Sequence, residues 1–70
     1  MEFDILDTLS PSEIEAGHDT VRLPNGDEID VKELNWDGDS WIGIGYSHLS
    51  GDDVPITLSD YDRVELLGYL

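Results

Sequence analysis

The most restrictive feature of the sequence is an Asn-Gly pair that lies between two runs of alternating apolar residues. Val21 and Leu23 alternate with polar residues before Asn25-Gly26, and the alternation resumes in residues 28–34. Asn-Gly favours the positive backbone angles of a tight hairpin turn, and a period of two is typical of strands with one buried face. The segment therefore predicts a β-hairpin and, with it, an antiparallel sheet.

A second alternating segment, residues 41–46, has large side chains separated by single glycines. It predicts a central strand, in which the glycines indicate a bend or the close approach of another backbone. We expect Trp41 and Tyr46 of this strand to be part of the core, because burying an aromatic ring removes a large apolar area from water. Trp36, in the turn before the strand, is predicted to lie on the surface.

The remaining strands are predicted from shorter patterns. Residues 54–58 form a strand at the edge of the sheet, since Pro55 lacks the N–H that a central strand would use. Residues 63–70 form the last strand, after a single helical turn at 59–62. Periodicity does not decide whether residues 3–9 form a helical turn or an edge strand.

A short helix is predicted near the N-terminus. Ser10-Pro11-Ser12-Glu13 combines a capping serine, a proline at the first helical position and a glutamate three residues after the cap. Gly17 is a typical helix end. These elements give an α+β fold in one acidic domain, residues 1–70. It has a short N-terminal helix and a twisted antiparallel sheet of four to five strands, with closure into a small open barrel as an option.

The chain is short for an independently stable domain. A domain of this length buries only about 60% of its unfolded surface, so a second subunit would add burial. The segment 66–70 has apolar side chains on both faces of its strand. We expect one face to fill the core and the other, with Leu67 and Tyr69, to form the interface of a homodimer.

Acidic residues dominate the charge of the chain. It contains 17 Asp and Glu against three Lys and Arg, a formal net charge of −14 with neutral histidines. Its Trp, Tyr and Ile residues distinguish it from a disordered acidic tail. Nucleic acids and anionic lipids are bound by Lys and Arg that neutralise phosphates. The charge therefore excludes them as direct partners and predicts a basic protein partner.

Several classes of site find no support in the residues present. The absence of Cys excludes disulfides, thiolate nucleophiles and metal sites built on sulfur. We expect no metal, no cofactor and no catalytic residue, since His18 and His48 belong to no spaced catalytic signature. The chain begins with acidic residues where a signal peptide is basic, and no apolar run approaches the ~20 residues of a membrane span. We therefore expect a soluble, cytoplasmic protein that is not an enzyme.

The segment Asp37-Gly38-Asp39-Ser40 resembles the start of a calcium-binding loop. Carboxylates at alternate positions can share a hard cation, but Trp41 and His48 stand where such a loop requires oxygen ligands. The segment is therefore interpreted as an acidic hairpin turn.

The charge of the chain matches that of DNA of similar size. A globule of this length has a radius of gyration of about 11 Å and a diameter of roughly 28 Å. A duplex of that length carries about 16 phosphates, at one charge per ~1.7 Å of axis. A basic DNA-binding protein would therefore be attracted to this chain as it is to DNA. Charge that only maintains solubility is the alternative, although ordinary domains need a net charge of only about 2 to 8.

Size, charge and three acidic segments together give a resemblance to a known family. The segments are Asn25-Gly26-Asp27-Glu28-Ile29-Asp30, Trp36-Asp37-Gly38-Asp39 and Asp60-Tyr61-Asp62. With no Cys and almost no Lys, the chain resembles the small phage-encoded DNA-mimic inhibitors, and among them the early phage proteins that block the host histone-like nucleoid protein HU. The resemblance rests on composition and length over the whole chain. It implies a homodimer in the host cytoplasm whose carboxylates replace phosphates.

On this hypothesis the protein is a non-enzymatic inhibitor that displaces DNA from a basic host protein. The carboxylates expected to accept hydrogen bonds from Lys or Arg, as phosphates do, lie along the predicted hairpin and at the turns. They are Asp27, Glu28, Asp30, Glu33, Asp37, Asp39, Asp52 and Asp53. Two alternatives stay open: an acidic structural or interaction domain adapted to molar salt, and an inhibitor of a nuclease or DNA-repair enzyme.

Overall fold

The structure is a computed structural model that describes residues 3–69, except for the side chains of Phe3 and Tyr69. Six strands form one antiparallel sheet, in the order β1-β6-β2-β3-β4-β5 across it when numbered along the chain. The strands are β1 (Phe3–Leu9), β2 (Thr20–Arg22), β3 (Glu28–Trp36), β4 (Trp41–Ser47), β5 (Asp53–Leu58) and β6 (Val64–Tyr69).

The predicted α+β class is wrong, because the expected N-terminal helix is only a 3₁₀ turn, Pro11–Glu13. The capping interactions do form: the backbone N–H and the hydroxyl of Ser10 both donate to the Glu13 carboxylate at 2.9 Å. The backbone is already extended at Ile14, with ψ of 131°. Ile14 is also the only half-buried side chain between the turn and Gly17. Too little apolar surface is available there to offset the cost of nucleating a helix.

The sheet has six strands instead of four or five, because residues 3–9 form the edge strand β1. This strand pairs with β6 from Phe3 to Leu9 and contributes Leu9 to the core. Pro55 lies in the other edge strand, β5, as the sequence predicts. Within residues 3–69 no pairing joins β1 to β5, so the sheet is not closed by hydrogen bonds.

The predicted hairpin is confirmed and joins β2 to β3. Val21 lies opposite Ile29, and the Leu23 N–H donates to the Asp27 carbonyl at 2.8 Å. Gly26 has a φ of 90°, a conformation that glycine adopts without a steric penalty. The predicted last strand is confirmed as β6.

One face of the sheet, the inner face, encloses the hydrophobic core. Strands that are distant in the sheet order supply it, including the two edge strands, so the sheet must curl around these side chains. A small all-β domain of this kind is stabilised mainly by burying such residues. The cluster consists of Leu9, Val21, Leu23, Ile29, Val31, Ile56, Leu58 and Val64.

Where the sheet curls, the paired strands β3 and β4 approach each other closely, and two glycines permit this approach. A Cβ atom at Gly43 would overlap the backbone of Glu33, and one at Gly45 would overlap the side chain of Ile29 and the carbonyl of Asp30. The close approach of another backbone, which the sequence predicts for this strand, is thereby confirmed.

Because Gly43 and Gly45 occupy inner positions of β4, the large side chains between and beside them, Ile42, Ile44 and Tyr46, point outward. Trp41 packs partly against the core, but Tyr46 is 38% exposed, so its assignment to the core is wrong. Trp36 is 46% exposed and lies on the surface as predicted, with its ring centroid 5.4 Å from that of Trp41.

Candidate functional site

The outer face of the sheet carries most of the carboxylates that the sequence places on the hairpin. Register puts Glu28 opposite Arg22, Asp30 opposite Tyr46, and Glu33 opposite Ile44. Directly paired residues project to the same side of a sheet, so these carboxylates share the face opposite the core.

Arg22 neutralises part of this face by bridging two carboxylates from neighbouring strands. Its guanidinium donates to Glu28 at 2.9 Å and to Glu65 at 3.0 Å. These hydrogen bonds raise the pKa of Arg22. The cluster links β2, β3 and β6, and Glu28 therefore already has a cationic partner within the protein.

Asp30 lies at the centre of a second polar group. It accepts hydrogen bonds from the Thr20 hydroxyl at 2.5 Å and from the ring of His48 at 2.9 Å. The His48 ring also packs edge-on against Tyr46, with centroids 5.5 Å apart. Partial burial raises the pKa of Asp30, but the hydrogen bonds from Thr20 and His48 outweigh it, so the pKa lies below its usual value.

Lys32 occupies an irregularity in the β3–β4 pairing, and its side chain reaches past β4 to the edge strand β5. Its ammonium donates to both oxygens of Asp53 at 2.9 Å. Both side chains are about half exposed, so water screens this pair. Asp53, like Glu28, therefore has a cationic partner within the chain.

Two of the predicted carboxylates, one from the hairpin set and one from the turn set, form hydrogen bonds that stabilise turns. Asp27 accepts the hydroxyl of the fully buried Ser47 at 2.7 Å, which ties the β2–β3 turn to the end of β4. Asp37 accepts the backbone N–H groups of Asp39 and Ser40 at 2.9 and 2.7 Å. The N–H of Ser40, and next that of Asp39, lowers the pKa of Asp37.

The Asp37 side chain thus caps the turn in which it lies. The interpretation of residues 37–40 as an acidic hairpin turn is confirmed. Among residues 3–69, no group of three or more His, Asp or Glu side chains is arranged to hold a metal ion.

Three of the eight predicted carboxylates accept no hydrogen bond, from backbone or side chain, and form no ion pair in the described part of the chain: Glu33, Asp39 and Asp52. Glu33 is on the outer face of β3, and the other two are exposed in the turns on either side of β4. Asp4 and Glu15, which the sequence did not single out, are exposed and unpartnered in the same way. No sequence pattern distinguishes them, because pairing depends on distant strands.

A shallow depression of about 300 Å³ lies beside the Asp30 group. It contains both acidic and basic groups, and the hydrogen bond that the His18 ring donates to Asp19 raises the pKa of His18 at its rim. Its lining residues are Gly17, His18, Asp19, Thr20, Asp30, Val31 and Lys32.

The predicted dimer contacts lie on β6. Leu67 is 5% exposed and thus already buried within one chain, which leaves little of its side chain for a second subunit. The side chain of Tyr69 lies outside the described residues.

Comparison of the chain with protein-family models, with curated proteins and with solved structures found no match. None of the helical segments within residues 3–69 has the length and hydrophobicity needed to cross a membrane.

Proposed function

We propose that the protein is a DNA-mimic inhibitor: it binds the DNA-binding surface of a basic protein, the histone-like nucleoid protein HU above all, and displaces DNA. The observation that carries this proposal is the excess of unneutralised carboxylates. The chain has 17 acidic residues and three basic ones, and two of the basic residues, Arg22 and Lys32, already form ion pairs within the fold.

The dimensions of the protein support the same proposal. Its radius of gyration is 11.0 Å, as expected from its length, and its longest axis is 36 Å. Duplex DNA of that length carries about 21 phosphates on its two strands, at one per ~1.7 Å. The protein therefore carries a number of carboxylates, 17, that is comparable with the number of phosphates on a duplex of its own length.

The internal partners decide which carboxylates act as phosphate substitutes. Glu28, Asp30 and Asp53 would have to exchange an internal donor for an external one, so they gain less from a partner. Glu33, Asp39 and Asp52 would give up only bound water on binding, so we propose that these three make the main contacts with the Lys and Arg of the partner. A nuclease or DNA-repair enzyme in place of HU would be bound by the same mechanism, because only the basic surface is required.

Displacement of DNA tests the proposal. Labelled duplex DNA bound to purified HU is titrated with the protein, and fluorescence anisotropy reports the DNA that is released. We expect release at about 50 mM salt and much weaker release at about 300 mM, because ions screen the attraction. No release at either salt concentration would contradict the proposal for HU.

A pair of variants with equal net charge separates local recognition from general attraction. Glu33→Gln/Asp39→Asn/Asp52→Asn and Asp4→Asn/Asp7→Asn/Glu15→Gln each remove three charges, so both change the net charge from −14 to −11. The first set should weaken displacement roughly tenfold, since each exposed ion pair contributes up to about 1 kcal/mol. The second set should weaken it less. Equal effects would show that only total charge matters.

A further inference from the structure

The outer side of β4 exposes a continuous row of large apolar side chains. Ile42, Ile44 and Tyr46 are 42%, 38% and 38% exposed. They are successive outward positions of one strand, so they form a row about 13 Å long at ~3.3 Å per residue. We name this row the β4 stripe.

The tight curl of the sheet explains why these side chains are not in the core. Gly43 and Gly45 occupy the inner positions, where the backbone of β3 leaves no room for a Cβ atom. Ile42, Ile44 and Tyr46 therefore face outward, and Pro55 of the neighbouring strand extends the apolar surface beside Ile44. Contiguous apolar surface on a small domain is typical of a binding site.

Carboxylates border the stripe on both sides. On β3, Asp30 lies opposite Tyr46 and Glu33 lies opposite Ile44. On β5, Asp53 lies opposite Tyr46 from the other side. The site thus has an apolar centre and a mainly negative rim. Lys32 also lies at this rim, and it forms an ion pair with Asp53.

We propose that the β4 stripe is the surface on which the protein binds its basic partner, an inference that rests on the proposed function and specifies its interface. The partner places an apolar side chain over Ile44 and Lys or Arg opposite Glu33, whose carboxylate has no internal partner, while Asp30 and Asp53 keep their internal donors and add negative charge to the rim. The apolar contact excludes water and strengthens the surrounding ion pairs. Charge attraction alone gives the complex no preferred orientation, whereas an apolar contact at the β4 stripe fixes how the partner is oriented.

Charge complementarity favours a basic protein over a second copy of the chain. In a symmetric contact through the stripe, the same surface of both subunits meets itself. The negatively charged rims of the two copies, which contain Asp30, Glu33 and Asp53, would then be brought together on two bodies that each carry a net charge of −14. A basic partner relieves this repulsion.

The test compares Ile44→Ser with Tyr61→Ser, which removes a 91% exposed apolar side chain from the loop between β5 and β6. Binding to purified HU and to polylysine is measured by calorimetry. Ile44→Ser should weaken HU binding about tenfold, from the loss of buried apolar area. It should leave polylysine binding unchanged, because polylysine has no apolar side chain to place on the stripe. Tyr61→Ser should change neither.

The outcomes separate this inference from the proposed function. If HU binds the wild type and Ile44→Ser equally, the stripe is not the interface, although the proposed function stands. If the wild type does not bind HU at all, the proposed function fails for HU, and the inference fails with it. If the wild type sediments as a dimer and Ile44→Ser as a monomer, the stripe is covered by a second copy and the inference is overturned.

Discussion

The substitution Gly43→Ala should destabilise the protein strongly, although alanine is ordinarily tolerated at least as well as glycine in a strand. The added Cβ atom would lie 2.8 Å from the carbonyl carbon of Glu33 and 2.9 Å from the Cα atom of Leu34, whereas ordinary contacts begin at 3.4 Å. These are backbone atoms, so no side-chain rotation relieves the overlap. The β3 backbone must move away from β4.

The expected loss follows from what that movement disrupts. Overpacking of a core costs about 1–3 kcal/mol, and each weakened ladder hydrogen bond costs about 1 kcal/mol more. A total of about 3–4 kcal/mol is a large part of the roughly 4–10 kcal/mol that a 70-residue domain possesses. At about 4–8 °C per kcal/mol for a domain of this size, Tm should fall by roughly 12–32 °C.

Gly68→Ala is the matched control, measured by urea and thermal denaturation alongside the wild type. Gly68 also lies in a strand, but its added Cβ atom would meet only the end of the Leu6 side chain, which is 62% exposed and can rotate away. We expect a change of less than about 1 kcal/mol for this variant. If Gly43→Ala is no more destabilising than Gly68→Ala, the tight curl at β4 is refuted, and with it the explanation of the exposed stripe.

Three further predictions concern charge. Arg22→Gln leaves Glu28 and Glu65 without their shared cation, so it should lower Tm more at low salt than at high salt; an equal loss at both would show that the bridge contributes little. Asp37→Ala should lower Tm at neutral pH. Because the pKa of Asp37 is lower in the folded than in the unfolded chain, its contribution to stability is complete above the unfolded pKa and is lost as pH falls through the folded pKa. The difference in Tm between Asp37→Ala and the wild type should therefore vanish in acid. A difference that stays constant with pH would contradict the turn-capping role. Thermal melts should show a cooperative transition at about 50 mM salt, with Tm rising as salt screens self-repulsion; a chain that folds only in molar salt would favour the salt-adapted alternative.

The local parts of the fold could be predicted from sequence. The Asn25-Gly26 turn, the alternation around it and the self-capping turn at Asp37 depend on residues within a few positions of one another. The N-terminal helix was predicted wrongly because its capping residues are present without an apolar stripe to stabilise it. Ser10 and Glu13 accordingly form their hydrogen bonds in a single 3₁₀ turn.

The candidate site depends on contacts that local patterns do not contain. Arg22 and Glu65 are 43 positions apart in sequence, yet they share a salt bridge that changes the charge of the outer face. Tyr46 was expected in the core because its alternation with glycine does not indicate which set of side chains faces inward. That choice follows from the path of β3, where the backbone at Glu33 leaves space only for glycine.

The most direct test of DNA mimicry is the salt dependence of the affinity for HU, measured by calorimetry beside a duplex of about the same length. We predict that log Kd rises with log salt concentration for both ligands and that saturating duplex abolishes binding of the protein. An affinity that is unchanged between about 50 and 300 mM salt, or a protein that binds HU and DNA simultaneously, would contradict the claim that its carboxylates take the place of phosphates.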